Sequence, residues 1–203
     1  MVYHIFTMKL KIYLLDCQNI PLDDLFYISI VSLNEKTQYD SYQSDETKRE
    51  KLASIYLKNK YVGEYHVNEN GKPVSDHLFF NVSHSHYLVG LIVDEVPVGI
   101  DIEKIRQADE KLKKFVTSQE EKEYIHGNQN FFEIWTNKEA LVKCLGIGIK
   151  EKPDTIPSLP INGVRKYKGK AYFNKTIKYQ DYIITISRQK NEDFEIEIIE
   201  ESI

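Results

Sequence analysis

The stretch VGIDIEK, Val98 to Lys104, decides the fold prediction because it combines strand periodicity with two acidic residues. Apolar Ile100 and Ile102 alternate with Asp101 and Glu103, and side chains two apart on a strand point to the same face. The two carboxylates therefore lie side by side. Adjacent negative charges repel, so one carboxylate keeps its proton unless a cation lies between them. The stretch predicts a strand that carries a cation site.

Two interpretations of this acidic pair stay open from the residues alone. In one, the stretch is an edge strand whose polar face is simply solvated. In the other, the apolar flanks mark an interior strand, where an unpaired carboxylate would cost several kcal/mol. Carboxylate oxygens are ligands that suit Mg²⁺, which completes its shell with water and substrate phosphates.

The bulk properties are those of a globular protein without a strong charge bias. The 203 residues suit one large domain or two small ones, and 41% of them are hydrophobic. A net charge of −4 argues against general nucleic-acid binding, which needs a basic surface. Cys17 and Cys144 make no disulfide framework, and no apolar run approaches the ~20 residues of a membrane span. We therefore expect a cytoplasmic protein, whether translation starts at Met1 or at Met8.

Helix and strand patterns occur on both sides of VGIDIEK. In chain order they predict a strand at Lys9 to Leu15, a helix from Thr47 to about Gly63, strands in HLFFNV and YLVGLIVD, a capping box at Thr117 or Ser118, a helix from about Asn130 to a stop at Gly146, and an antiparallel meander of KAYFNK, TIKYQ, DYIITIS and FEIEIIE. Each half thus holds strands and a helix. The sequence predicts an α+β fold of two pseudo-symmetric lobes, residues 1–96 and 97–203, each a small, mostly antiparallel sheet packed on a long helix.

A second cluster lies in WTNKEALVK, Trp135 to Lys143, on the predicted long helix. Glu139 and Lys143 are four residues apart at the border of the apolar face, where a surface ion pair contributes about 0.3 kcal/mol. Taken alone, this pair is more typical of a solvated helix than of a site. Lys138 falls near the middle of the apolar face, so its ammonium must reach out to solvent or meet a buried acid or a phosphate.

A third cluster, NVSHSH, Asn81 to His86, follows a strand directly. Ser83 and His84 are predicted to lie in a turn, where hydroxyl, imidazole and backbone N–H groups can bind a phosphate. A metal site built on His84 and His86 would need further His or Cys ligands, and the sequence places none suitably. The role of His86 stays open. Together the three clusters favour a Mg²⁺-dependent phosphoryl centre, without the Gly-rich loop of an ATPase or kinase.

These motifs resemble the 4′-phosphopantetheinyl transferases, specifically the Sfp-like type that activates peptide and polyketide synthetases. The family joins a G-[IV]-D strand, here Gly99 to Asp101, to a helix reading [FW]-[SCT]-x-K-E-[AS]-x-x-K, here Trp135 to Lys143. The Sfp-like type adds a Gly-Lys-Pro loop, here Gly71 to Pro73, and an N-[IV]-S-H-S motif, here Asn81 to Ser85. The motifs occur in the family's order, and the resemblance spans nearly the whole chain.

The resemblance implies a reaction and a role for each motif residue. Asp101, Glu103 and Glu139 would hold Mg²⁺, or Mn²⁺, together with the pyrophosphate of the substrate coenzyme A. Lys143 would contact the same pyrophosphate, and Glu139 would take the proton from a serine of an apo acyl or peptidyl carrier protein, directly or through a water. The 4′-phosphopantetheine arm would move to that serine, and 3′,5′-ADP would leave.

The resemblance also implies contacts to the phosphates and nucleotide of coenzyme A, from Arg49, Lys72, Ser83, His84 and Lys143. Lys48 is a rival to Arg49, and Lys36 matches a second basic site only loosely. The segment Glu103 to Asn130 is shorter than the family pattern, which leaves the choice of carrier open. Two lobes in one chain imply a monomer.

Two other functions stay open beside this one. The first is a catalytically inactive relative that binds coenzyme A or a carrier, although all three acidic residues are retained. The second is a Mg²⁺-dependent nucleotide pyrophosphohydrolase, although such enzymes gather more carboxylates on one helix than WTNKEALVK offers.

Overall fold

The computed structural model describes residues 8–23, 29–69, 71–146 and 152–202. The helices are α1 (Leu33–Ser41), α2 (Asp45–Tyr61), α3 (Glu110–Val116), α4 (Gln119–Tyr124) and α5 (Asn128–Leu145). The strands are β1 (Met8–Asp16), β2 (His66–Val67), β3 (Pro73–Val74), β4 (Phe79–Ser85), β5 (Leu88–Asp94), β6 (Val98–Lys104), β7 (Gly163–Tyr167), β8 (Lys170–Tyr179), β9 (Tyr182–Arg188) and β10 (Phe194–Glu201). The predicted α+β class is confirmed.

Two four-stranded sheets pack face to face, with a long helix on the outer side of each. The first sheet has the strand order β10-β1-β5-β4, and the second has the order β6-β9-β8-β7. Strand alternation divides the side chains between layers. In β1, Ile12 and Leu14 face the other sheet, whereas Leu15 joins the cluster that also contains Leu52 and Leu57 of α2. Alternate residues of β1 therefore fill two apolar layers, one between the sheets and one between the first sheet and α2.

The same alternation sets the two faces of β6. Ile100 and Ile102 lie in the apolar layer between the sheets and are almost fully buried. Asp101 and Glu103 consequently point away from that layer, toward the side where α5 packs on β6 and β9. The prediction that the two carboxylates share one face is thus confirmed by the pleat of the strand.

The strand β6 is an edge strand of its sheet, yet its outer side is covered by side chains of β4. Ordinarily such an edge leaves a row of N–H groups open to solvent or to another chain. Here Asn81 Oδ1, Ser83 Oγ and Ser85 Oγ accept the N–H groups of Ile100, Ile102 and Lys104 at 3.0, 3.1 and 3.2 Å. The two sheets are therefore joined by side-chain to backbone hydrogen bonds along β6.

The last strand differs from the prediction. FEIEIIE was expected to continue the antiparallel meander, but β10 leaves the second sheet and pairs in parallel with β1, with Phe194 opposite Met8 and Glu201 opposite Leu15. A parallel partner must come from a distant part of the chain, so its local pattern cannot distinguish it from a meander strand. The division at residue 96 stays a prediction, and β10 crosses it.

The helix α5 ends where the sequence predicts. Gly146 is the C-cap with φ 72°, the left-handed conformation that glycine adopts without a steric cost. The capping box is also confirmed, with Ser118 and Glu121 as its two members. Within the described ranges, no helix is long and apolar enough to cross a membrane.

Candidate functional site

The site lies where α5 crosses β6, and Gly99 permits the approach of these two elements. A Cβ at position 99 would overlap the carbonyl oxygen of Ala140 and the backbone nitrogen of Cys144. Only glycine lets the strand lie this close to the helix backbone. The close approach brings Asp101, two residues further along β6, to the side chains of α5.

Asp101 is the most deeply buried acid of the predicted site, with 5% of its surface exposed. Its Oδ1 accepts hydrogen bonds from Lys143 Nζ at 2.6 Å and from Ser83 Oγ at 3.0 Å. Its Oδ2 is buried and has no hydrogen-bond partner. Burial raises the pKa of Asp101, and the Lys143 ammonium opposes that shift. A buried carboxylate oxygen without a partner is costly unless a ligand completes it.

Glu139 shares the electrostatic environment of the two β6 acids. Burial raises its pKa to about 7, and the negative charges of Asp101 and Glu103 add to the shift, whereas Lys143 opposes it. The set of three predicted metal ligands stays a prediction. Among the residues that the structure describes, no three His, Cys, Asp or Glu side chains stand grouped to hold a metal ion.

Glu103 is held by three donors. Arg106 Nη1 and Ser85 Oγ bind its Oε2 at 2.9 and 3.3 Å, and Trp135 Nε1 binds its Oε1 at 3.0 Å. A carboxylate offers about four lone-pair directions, so acceptor capacity remains. The tryptophan of the helix motif thus orients an acid of the strand motif.

Lys143 provides the cation beside the strand. Its ammonium lies 2.6 Å from Asp101 Oδ1 and donates to Ser83 Oγ at 3.0 Å, rather than forming the surface ion pair with Glu139 that was one interpretation of the sequence. Its contact with the pyrophosphate stays a prediction. The Lys143 carbonyl in turn accepts a hydrogen bond from Lys72 Nζ at 3.0 Å. The Gly-Lys-Pro loop therefore contacts the C-terminal end of α5, where a positive charge is favourable.

The structure does not bring Ser83 and His84 together. The strand β4 continues to Ser85, so the two side chains point to opposite faces. Ser83 is buried against Asp101, whereas His84 is exposed and its Nδ1 lies 3.0 Å from Glu50 Oε2. The turn predicted at Ser83 and His84 is formed three residues later, by His86 and Tyr87, with φ values of 47° and 69°. Two left-handed residues are the geometry of a tight hairpin turn.

The other predicted basic contacts lie on α1 and α2. Arg49 Nε donates to the Ile20 carbonyl at 3.0 Å, and its neighbour Glu50 is the partner of His84. Lys48 is half-buried on the same helix, and Lys36 on α1 is exposed. The nucleotide contacts assigned to these residues stay predictions.

Lys138 meets a buried acid, which was one of the two alternatives left by its position on the apolar face. Its ammonium lies 2.7 Å from Glu121 Oε2 and also binds the carbonyl oxygens of Pro153 and Ile156, at 2.9 and 2.8 Å. Both side chains are almost fully buried. Lys138 therefore holds α4 and the Pro153 segment to α5 and does not face the carboxylate cluster.

Sequence reasoning missed the contacts that two residues of β4, Asn81 and Ser85, make with β6, and it missed the hydrogen bond from Trp135 to Glu103. The signal was present as an alternation, N-x-S-x-S in β4, which matches the spacing of D-x-E in β6. This match could not be recognised from the sequence, because only the fold shows that β4 lies beside β6.

Comparison with known proteins adds an independent observation. Residues 97–196 match the family described as the 4′-phosphopantetheinyl transferase superfamily. A segment of 89 residues is 37% identical to the 4′-phosphopantetheinyl transferase gsp of Aneurinibacillus migulanus, and covers 40% of this chain and 38% of that protein. A segment of 126 residues is 27% identical to the 4′-phosphopantetheinyl transferase Sfp of Bacillus subtilis strain 168, and covers 53% of this chain and 56% of that protein. These similarities thus extend over 38% to 56% of the relatives' own length.

Proposed function

Because the chain belongs to the 4′-phosphopantetheinyl transferase superfamily, in its Sfp-like type, we propose that it transfers the 4′-phosphopantetheine arm of coenzyme A to a serine of an apo carrier protein. The observation that carries the proposal is Asp101 Oδ2, a buried carboxylate oxygen without a hydrogen-bond partner, and the raised pKa of Glu139, to which the charge of Asp101 contributes, supports it. Both acids lie in the part of the chain that matches the family.

The donor chemistry of the site fits Mg²⁺ or Mn²⁺. Asp101, Glu103 and Glu139 supply only carboxylate oxygens, which these hard cations prefer. We propose that these three residues hold one cation together with the pyrophosphate oxygens of coenzyme A. When bound, the cation supplies neutralisation of the pyrophosphate charge.

The residues of the chain position the reactants and move the proton. Glu139 accepts the proton of the carrier serine as the serine oxygen forms a bond to the β-phosphorus. The bond from that phosphorus to the oxygen of the leaving 3′,5′-ADP breaks, and Lys143 balances the charge that develops there. Arg49, Lys72 and His84 contribute contacts to coenzyme A, and Ser83 lies beside the pyrophosphate. Catalysis of this kind is mostly positioning and electrostatics.

The proposed partners are coenzyme A and an apo acyl or peptidyl carrier protein. Both sheets supply residues of the site, since Ser83 of the first sheet donates a hydrogen bond to Asp101 of the second. Because one chain supplies both sides of the site, we propose a monomer. The net charge of −4 supports a protein without a nucleic-acid partner, and we propose that it works in the cytoplasm without a membrane partner.

The test is to incubate the protein with coenzyme A, Mg²⁺ and several apo carrier domains, and to measure the mass of each carrier. We expect the gain of one 4′-phosphopantetheine group on at least one carrier, and loss of this activity with a chelator or in Glu139→Gln. No gain on any carrier, with Mg²⁺ or Mn²⁺, would overturn the proposal. Release of 4′-phosphopantetheine without a carrier would instead indicate the pyrophosphohydrolase.

A further inference from the structure

The hydroxyls of Ser83 and Ser85 repeat one hydrogen-bond pattern along β6. Ser83 Oγ accepts the N–H of Ile102 at 3.1 Å and donates to Asp101 Oδ1 at 3.0 Å. Two residues further, Ser85 Oγ accepts the N–H of Lys104 at 3.2 Å and donates to Glu103 Oε2 at 3.3 Å. Each serine therefore contacts a backbone N–H and the carboxylate of the preceding residue.

The hydrogen-bond capacity of Ser83 is fully used by these contacts. A hydroxyl has one proton and two lone pairs. The proton goes to Asp101, and the lone pairs receive the Ile102 N–H and the Lys143 ammonium, the latter at 3.0 Å. Ser83 therefore connects the Asp101 carboxylate, the backbone of β6 and the Lys143 ammonium.

Ser85 has a further neighbour that directs its proton. His86 Nδ1 lies 3.2 Å from Ser85 Oγ. When this nitrogen carries the proton, His86 donates to Ser85 and the Ser85 proton points to Glu103. The left-handed turn at His86 thus places the imidazole where it supports the same contact.

We propose that Ser85 is a positioning residue that orients Glu103 for a divalent cation. The inference rests on the proposed function, since it assumes that this carboxylate is a cation ligand. Partners that orient a ligating carboxylate typically change metal affinity 10- to 100-fold when they are removed. Ser85 would therefore act through Glu103, without touching the cation.

Asn81 offers a matched control because it makes the same backbone contact without a carboxylate. Asn81 lies two residues before Ser83 on the same strand, and its Oδ1 accepts the Ile100 N–H at 3.0 Å. Asn81→Ala and Ser85→Ala each remove one acceptor from the edge of β6. Only Ser85→Ala also removes a donor to an acid of the site.

The experiment measures Mn²⁺ affinity by electron paramagnetic resonance of free Mn²⁺, without coenzyme A or a carrier, and stability by urea unfolding. We expect Ser85→Ala and Asn81→Ala to lower stability to a similar extent, whereas only Ser85→Ala weakens Mn²⁺ binding, by about tenfold or more. Ser85→Thr retains the hydroxyl and should retain the affinity. If Ser85→Ala does not fold, Ser85→Cys replaces it. The cysteine has a similar size, but its thiol is a much weaker donor than a hydroxyl, so this variant should also bind Mn²⁺ more weakly than the wild-type protein.

The failures of the two proposals differ. Mn²⁺ binding that is equal in the wild-type protein, Ser85→Ala and Ser85→Cys overturns the positioning role alone. If Asn81→Ala and Ser85→Ala weaken Mn²⁺ binding equally, the positioning role is also overturned. The loss would then come from the hydrogen bond to the β6 backbone, which both variants remove. A wild-type protein that binds no Mn²⁺, and transfers nothing to a carrier, overturns the proposed function together with this inference.

Discussion

Gly99 lies directly against the backbone of Ala140, so close that a side chain at position 99 would overlap the Ala140 carbonyl oxygen. This contact fixes the distance between the strand with two acids and the helix with the third. It explains in steric terms why the strand motif begins with glycine. The geometry of the carboxylates thus depends on a residue that carries no functional group.

Replacement of Gly99 by alanine should separate α5 from β6. We expect Gly99→Ala to lower the free energy of unfolding by about 1 to 3 kcal/mol, because the added methyl group meets rigid backbone. Gly127→Ala is the control, since a Cβ there meets nothing within 4 Å. Urea unfolding measures both. A Gly99→Ala protein as stable as Gly127→Ala would contradict the close approach.

Removal of the Lys143 ammonium should make stability more dependent on Mg²⁺. In Lys143→Met the buried Asp101 loses its cation, which should cost about 1 to 3 kcal/mol without metal. Added Mg²⁺ should then raise the melting temperature more in the variant than in the wild-type protein, because the lysine no longer competes for Asp101 Oδ1. Lys113→Met, which removes an ion pair to the exposed Glu110, is the control and should show no such gain. Equal gains in all three proteins would exclude competition between lysine and metal.

The buried pair of Lys138 and Glu121 should be structural. Lys138→Met leaves Glu121 as a buried charge without a partner, so we expect a loss of about 3 to 5 kcal/mol in the free energy of unfolding. The double variant Lys138→Met with Glu121→Gln should recover part of this loss, because the glutamine is neutral. Both are measured by urea unfolding. If Lys138→Met unfolds at the wild-type urea concentration, the pair does not hold α4 to α5.

The two cysteines predict a loss of stability at alkaline pH. Burial raises the pKa of Cys17 and of Cys144 to about 12, from an ordinary value of 9.0. Between these values the unfolded chain has lost the thiol protons and the folded chain retains them, so the unfolded state binds fewer protons and stability falls as pH rises. Each thiol contributes about 1.4 kcal/mol per pH unit in this window. Urea unfolding in steps from pH 9 to pH 12 should show a smaller fall in Cys17→Ala with Cys144→Ala than in the wild-type protein; an identical fall would assign the effect to other groups.

Local patterns predicted those parts of the site that depend on one element at a time. The alternation of Ile100 and Asp101 assigned the acids to one face of a strand, and Gly146 marked the end of α5. Both follow from the pitch of a single strand or helix. The same applies to Lys138, whose position on the apolar face already required a buried partner.

Contacts between distant segments of the chain could not be predicted from local sequence patterns. Lys143 lies 42 positions from Asp101 in the chain, so its preference for this acid over Glu139 depends on how α5 is set against β6. The error on His84 has a different cause. The strand β4 runs further than its apolar run suggested, and extending a strand by a few residues assigns alternate side chains to opposite faces.

The parallel pairing of β10 with β1 has a consequence for synthesis. The ribosome makes β10 after every other described strand, so a nascent chain that has emerged only as far as β9 has the β1 edge of its first sheet uncovered. Such an edge invites pairing with other chains, and contacts that span most of the sequence form slowly. We expect truncation before Phe194 to yield aggregates, and newly made protein to depend on chaperones until its final strand has docked.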